Sequence, residues 1–138
     1  MDLENFSEQT KIKINASFNY ARENNFAYFI PLHLLIILIK NDDLVKNTLS
    51  YFKVDTKLLL EQSLLISNKE KKHTAPPEIQ GNLILLLQEV MKKNKIKKNE
   101  EIETNLILLE LCSDLSPITK ELLEKNNLFY HNLESYIG

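Results

Sequence analysis

The stretch Tyr28-Phe29-Ile30-Pro31-Leu32-His33-Leu34-Leu35-Ile36-Ile37-Leu38 returns in altered form 73 residues later as Glu101-Ile102-Glu103-Thr104-Asn105-Leu106-Ile107-Leu108-Leu109-Glu110-Leu111. In each copy an irregular, partly apolar segment meets a helix-start signal and then a dense run of aliphatic side chains. Pro31 suits the first position of a helix, where its missing N–H would have no intrahelical partner anyway. Thr104 is expected to cap the second copy by accepting a bond from a free first-turn amide. The same offset maps Ile14 onto Leu87, Phe18 onto Met91, Leu38 onto Leu111 and Leu49 onto Leu122. A repeat must be settled before a fold is assigned, because missing one misassigns everything after it. Two copies imply a pseudo-symmetric pair and not a solenoid.

A chain of 138 residues with 43% hydrophobic and 26% charged residues can bury a real core as one domain, spanning 1–138. Gly81 and Gly138 are its only glycines, so phosphate-cradling glycine loops are out of reach, and no GxxxxGK[ST] string exists. A net charge of −2 gives no global pull towards nucleic acid or an anionic membrane. The single cysteine, Cys112, has no partner for an internal disulfide and reads as a small buried core residue, not a catalytic thiol. That fits a reducing compartment. Met1-Asp2-Leu3-Glu4-Asn5 lacks the layout of a signal peptide. The longest apolar stretch, 34–39, falls far short of the roughly 20 residues needed to cross a bilayer.

Helical spacing predicts a first helix over 6–22, with Phe6, Thr10, Ile14, Phe18 and Ala21 on one face and Ser7 able to cap it. Phe26, Tyr28 and Phe29 in the following connection are expected to fold back onto the core. Further helices are expected from Pro31 to about Lys40, from Leu44 to Phe52, and from Asp55 to about Ile66. Asp55 is a good N-cap there, with Val54 stapled against Leu59. Residues 67–78, charged and ending in Pro76-Pro77, read as a linker between repeat one (4–66) and repeat two (79–137). His73 in that linker reads as solvated, with no second ligand at metal-binding spacing.

The fifth helix carries Leu83, Ile84, Leu85, Leu86, Leu87, Val90 and Met91, too many for one narrow stripe. It is either central in the core or offers a face to a partner. Lys92, Lys93, Lys95, Lys97 and Lys98 follow, but without interleaved aromatics and with Glu100, Glu101 and Glu103 close behind. They read as a solvated helix end and not as a nucleic-acid surface. A sixth helix over 104–115, a seventh begun by Ser116-Pro117 and broken at Asn126-Asn127, and a short eighth ending at Ile137 complete an all-α chain of about eight helices, without a convincing strand. Nothing in it makes a catalytic or metal-binding constellation.

The order of these features resembles the N-terminal domain of Clp/Hsp100 AAA+ unfoldases. Residues 1–38, including Pro31-Leu32-His33-Leu34, read without gaps against the ClpB-type disaggregase pattern. Ala21-Arg22-Glu23 and Phe52-Lys53-Val54-Asp55 look more like the ClpA type, and 82–106 aligns again without gaps. The resemblance implies two four-helix repeats related by a pseudo-twofold axis. It also implies a non-enzymatic module that takes unfolded or aggregated polypeptides, or a protein adaptor, into apolar grooves. The ATP and Mg chemistry of disaggregation or proteolysis would belong to a parent hexameric ring. The alternative is a free-standing accessory subunit that docks on a Clp assembly. The isolated domain is expected to be a cofactor-free monomer, cytoplasmic in a bacterium or organellar in a eukaryote.

Carried over position by position, the resemblance places peptide or adaptor binding at Ser7, Leu32, Asn99, Asn105 and Leu106. Ser7 stands where disaggregase-type domains use a threonine hydroxyl, and Asn105 and Asn99 stand where they carry acidic side chains. Two groove leucines fall on Glu89 and Lys93, and a third is kept as Leu106. The glutamates that read phosphoarginine fall on Leu32 and Asn105, so that activity is not expected. His33 keeps a helix-start histidine and is read as structural, serving backbone groups of the preceding loop.

Overall fold

In a computed structural model that describes residues 2–96 and 100–138, the chain folds into eight helices and one very small sheet. The helices are α1 (Glu8–Glu23), α2 (Pro31–Asn41), α3 (Asp43–Tyr51), α4 (Thr56–Ser67), α5 (Gly81–Ile96), α6 (Thr104–Leu111), α7 (Pro117–Lys125) and α8 (Tyr130–Ile137). Helix starts in the two halves differ by 73 positions for α1/α5 and α2/α6, and by 74 for α3/α7 and α4/α8. One residue has therefore entered the turn between α6 and α7. Leu49 consequently corresponds to Leu123 and not to Leu122.

Backbone geometry agrees with the shifted register. Lys53 and Asn127 both take left-handed φ, 58° and 64°. After them the amides of Val54 and Leu128 donate to the carbonyls of Leu49 and Leu123.

The halves are joined by reciprocal pairing, which corrects the strandless expectation. Strand β1 (Tyr28–Phe29) pairs in parallel with β2 (Glu78–Ile79), and Phe6 makes an isolated parallel bridge to Ile102. These pairings are counterparts: Phe6 and Ile79, like Phe29 and Ile102, lie 73 apart. The Ser7 amide donates to the Ile102 carbonyl at 3.1 Å, and the Gln80 amide to the Phe29 carbonyl at 3.0 Å. Each repeat's first helix is thus pinned to the segment leading into the other's second helix. Phe6, counted above as helical, is instead a buried residue of this pairing.

Helix α2 explains why the core sits where it does. Its first nine residues, Pro31 to Ile39, are all buried, as expected of a helix that is apolar all round. It packs against α1, α3, α4, α5, α6 and α7. Each Leu or Ile removed from water there contributes about 1.5–3 kcal/mol. The seam around α2 and α6 is filled by these side chains.

Several expected caps form and two do not. Ser7 and Asp55 accept bonds from the amides of Thr10 and Leu58. Thr104 does not cap α6: it is the first helical residue, and its hydroxyl donates to Asp42 Oδ2 at 2.6 Å. Asp42 itself caps α3 by accepting from the Val45 amide, so one buried carboxylate ties both repeats together. Ser116 precedes Pro117 as expected, but its hydroxyl pairs with that of Thr119 and not with a backbone amide.

The connection between the repeats, over 68–80, is pinned along part of its length. Residues 71–73 lie along the connection 25–27: Ala27 N–H donates to Lys71 O at 2.9 Å, and His73 N–H to Asn25 O at 2.8 Å. His73 is therefore half-buried and not solvated.

His33 is fully buried, and its Nδ1 accepts the Ile30 amide at 3.1 Å. Among the described residues its Nε2 has no hydrogen-bond partner, and burial lowers its pKa to about 4. The folded state therefore favours neutral His33. Its contribution to stability is complete above the ordinary value of 6.5 and is lost as pH falls through about 4. Urea unfolding measured from pH 7 to pH 4 is expected to show a loss of stability that is smaller in His33→Gln, whose amide keeps an acceptor but does not titrate. Equal slopes for the two proteins would contradict this.

Candidate functional site

Helix α5 is buried along one face and open along another. Leu83, Leu86, Leu87 and Val90 are buried, while Leu85 is exposed and Ile84 and Met91 are half-buried. Hollows flank it on two sides. An open cleft of about 780 Å³ is lined by the apolar Ile79, Ile84 and Met91 and by the charged Asp2, Glu4, Lys92 and Lys95. A compact cavity of about 170 Å³ lies between α5, α6 and α8, lined by Val90, Lys93, Asn94, Leu106, Leu109, Glu110 and Glu134.

The cavity follows from the spacing of its walls. Val90, Lys93 and Asn94 are related by i, i+3 and i+4, as are Leu106, Leu109 and Glu110, so each helix presents one continuous strip. Its floor is aliphatic. One wall is a charged cluster: Lys93 Nζ donates to Glu110 Oε2 at 2.7 Å and to the Tyr130 hydroxyl, and it lies 4.9 Å from the Tyr130 ring centroid.

Glu110 is buried, with only 2% of its side chain exposed. A carboxylate there is tolerable only because the ammonium sits against it. Burial works against the charge on Lys93, but the hydrogen bonds and charges of Glu110 and Tyr130 outweigh it and raise its pKa. On the other side, Asn94 Nδ2 donates to the Glu100 carbonyl at 2.9 Å, fixing the chain that leads into α6. Glu134 stands exposed on α8.

Of the four positions assigned by resemblance that lie among the described residues, Leu106 alone lines this cavity. Asn105 is its half-buried neighbour on α6. Ser7 is buried, and its hydroxyl lies 2.7 Å from that of Thr10, which donates onward to the Ile102 carbonyl. Leu32 is a core residue, 1% exposed, beside a narrow crevice of about 40 Å³ near Pro117. Asn99 lies outside the described residues, as do Lys97 and Lys98.

Lys93, which occupies a groove-leucine position, does reach the cavity, but as half of an ion pair. Sequence reasoning missed Glu110, although a carboxylate inside the run 106–111 was a visible anomaly. It also missed Glu134 and Tyr130, which α8 brings in from the far end of the repeat. Cys112 is fully buried, as expected; burial, together with the charges of Glu124 and Glu110, pushes its thiol up to about 12. Among the described residues no group of three or more His, Cys, Asp or Glu side chains could hold a metal ion. No described helix is long and apolar enough to cross a membrane.

A mainly helical double repeat with reciprocal strand pairing, carrying a cavity with an aliphatic floor and a charged wall, defines a class, and comparison with known proteins supplies its family. The Clp repeat (R) N-terminal domain profile matches residues 5–126, and the chain belongs to that family. No curated protein sequence matches it. Solved structures do. The N-terminal domain of Hsp104 from Candida albicans superposes with a TM-score of 0.81 at 18% identity, covering 96% of this chain and 88% of that one. The N-terminal domain of the ClpV1 ATPase from the type VI system of E. coli EAEC gives 0.79 at 15% identity, covering 96% and 83%. The ClpV N-domain in complex with a VipB peptide gives 0.69 at 17% identity, covering 83% and 74%. At these identities the likeness is one of fold.

The charged wall leads to a stability prediction. Replacing Lys93 by Met leaves Glu110 buried without its cation. The expected cost at pH 7 is about 2 kcal/mol, below the roughly 3–5 kcal/mol of a fully buried pair because the lysine is partly exposed. The raised Lys93 pKa means that the pair's contribution is complete below the ordinary value of 10.5 and is lost as pH rises beyond it. Urea unfolding should therefore show wild type and Lys93→Met converging at high alkaline pH. A constant gap would contradict the assignment.

Proposed function

We propose that this domain is the polypeptide-recognition module of a Clp/Hsp100-type AAA+ unfoldase, taking an apolar side chain of a client or adaptor into the cavity around Leu106. The observation behind this reading is that cavity: an aliphatic floor of Val90, Leu106 and Leu109, open beside polar groups, on a domain whose central seam is otherwise filled. Burial of apolar surface is non-directional and is worth about 25 cal/mol per Å², so such a site tolerates varied sequences and releases them again. Weak, exchangeable contacts suit a module that hands its cargo onward. The peptide-bound ClpV N-domain supports the reading, because it is a case of the same fold engaging a peptide.

In this proposal the domain performs no chemistry. ATP, Mg and the work of unfolding belong to a hexameric parent ring, and the domain itself is a monomer acting in the cytoplasm. Ser7 takes part only by supporting the segment that leads into α6.

The test is capture of an unfolded model protein by the 138-residue chain, with Leu106→Asp as the probe. A charge on the cavity floor should reduce capture by at least about tenfold while circular dichroism shows helicity retained. Undiminished capture by the folded variant would remove the cavity from the mechanism.

A further inference from the structure

The repeats share a scaffold, but the corresponding places in them are filled differently. In repeat one, Phe26 is buried at 1% exposure and its amide donates to Ala21 O at 2.9 Å. Its ring lies 4.7 Å from that of His33 and 6.2 Å from that of Tyr20. Moved by the 73-residue offset, Tyr20, Ala21 and His33 become Lys93, Asn94 and Leu106, all three of which line the cavity of repeat two. Ser17, Ile36 and Ile37 likewise become Val90, Leu109 and Glu110. The two rings beside Phe26, those of Tyr20 and His33, and the Ala21 position that holds its amide thus correspond to walls of a hollow in the other half. The sequence counterpart of Phe26 is Asn99, which carries no ring. A volume of about 170 Å³ suits one, since a cavity of about 150 Å³ lined by apolar side chains holds benzene.

Charge narrows the occupant further. In repeat one the plug is covered by a basic segment: Phe26 makes an isolated antiparallel bridge to Lys72, whose Nζ lies 5.1 Å from the Phe26 ring centroid. In repeat two the cavity lining carries one carboxylate more than it has cations. Glu110 is neutralised by Lys93, but Glu134 makes no ion pair among the described residues, and the Glu100 backbone is held against Asn94.

We propose that the Leu106 cavity is a socket for an aromatic side chain carried on an extended segment of another polypeptide, next to a lysine or arginine that pairs with Glu134. The segment reproduces from outside what Phe26 and Lys72 do within repeat one. This rests on the recognition function proposed above and specifies its ligand.

The experiment uses short fluorescent peptides with one Phe between two Lys, and anisotropy as the readout. Replacing Phe by Ala should weaken binding to the wild-type chain by about tenfold or more, and replacing both Lys by Glu should weaken it also. Leu106→Phe, which fills the socket from within, should abolish binding. Glu134→Lys, on the exposed face of α8, should weaken the Lys-flanked peptide and spare the Glu-flanked one, so the test survives even if Leu106→Phe fails to fold.

Equal affinity for the Phe and Ala peptides, or no effect of Glu134→Lys, overturns the inference. If unfolded protein is still captured in a Leu106-dependent way while the peptides are not distinguished, recognition stands and the aromatic socket falls. If neither binds, both fall. Concentration-dependent dimers in the ultracentrifuge that Leu106→Phe dissociates would assign the socket to a second copy and also overturn the inference.

Discussion

The structure depends on a crossed pair of backbone contacts. Ser7 reaches from the start of α1 to Ile102, just before α6, and Gln80 reaches from the start of α5 to Phe29, just before α2. Neither repeat can complete its own entry to a core helix without the other. The amides concerned belong to helix starts, where backbone donors lack intrahelical partners and are costly to bury unpaired. Pairing them across the repeats satisfies these groups and fixes the approach of α2 to α6 in one step. The Thr104–Asp42 hydrogen bond secures the same junction from the side-chain level.

With the scaffold fixed in this way, the two halves are free to diverge in what fills them. Repeat one is closed by its own aromatics: Phe26, Tyr20 and Phe29 gather around His33, and the segment 71–73 lies along the connection that carries Phe26. Repeat two has an ion pair in place of the ring cluster and Leu106 in place of the histidine, which leaves space between α5, α6 and α8. One half is closed by its own side chains, and the other retains a hollow. That difference connects the fold to the recognition function proposed for it.

Much of this was legible in the sequence, because helix patterning and repeats are local signals. Pro31, Asp55, Pro117 and the aliphatic runs placed the helices to within a few residues. The offset of 73 related the equivalent positions of the two halves, but not the crossed pairing between them, which the strandless expectation missed. What escaped was set by distance along the chain or by tertiary context. Thr104 carries the residue type of a cap, but a carboxylate 62 positions away claims its hydroxyl. The polar composition of 67–78 reads as linker, yet backbone pairing needs no apolar side chains and lays 71–73 along 25–27. The extra residue between α6 and α7 shifts the later helices by one, which a constant offset cannot register. At the site, Leu106 was legible from resemblance, while Glu134 and Tyr130 were not, since α8 joins the cavity only through tertiary packing.

The central claim is that the halves form one cooperative unit through their crossed contacts. Amide hydrogen exchange resolved residue by residue tests it most directly. The amides of Ser7 and Gln80, one from each repeat, should exchange only through global unfolding, with equal free energies that match the value from urea denaturation. Exchange of one at a distinctly lower free energy, with its partner still protected, would show a repeat opening alone and would contradict the account.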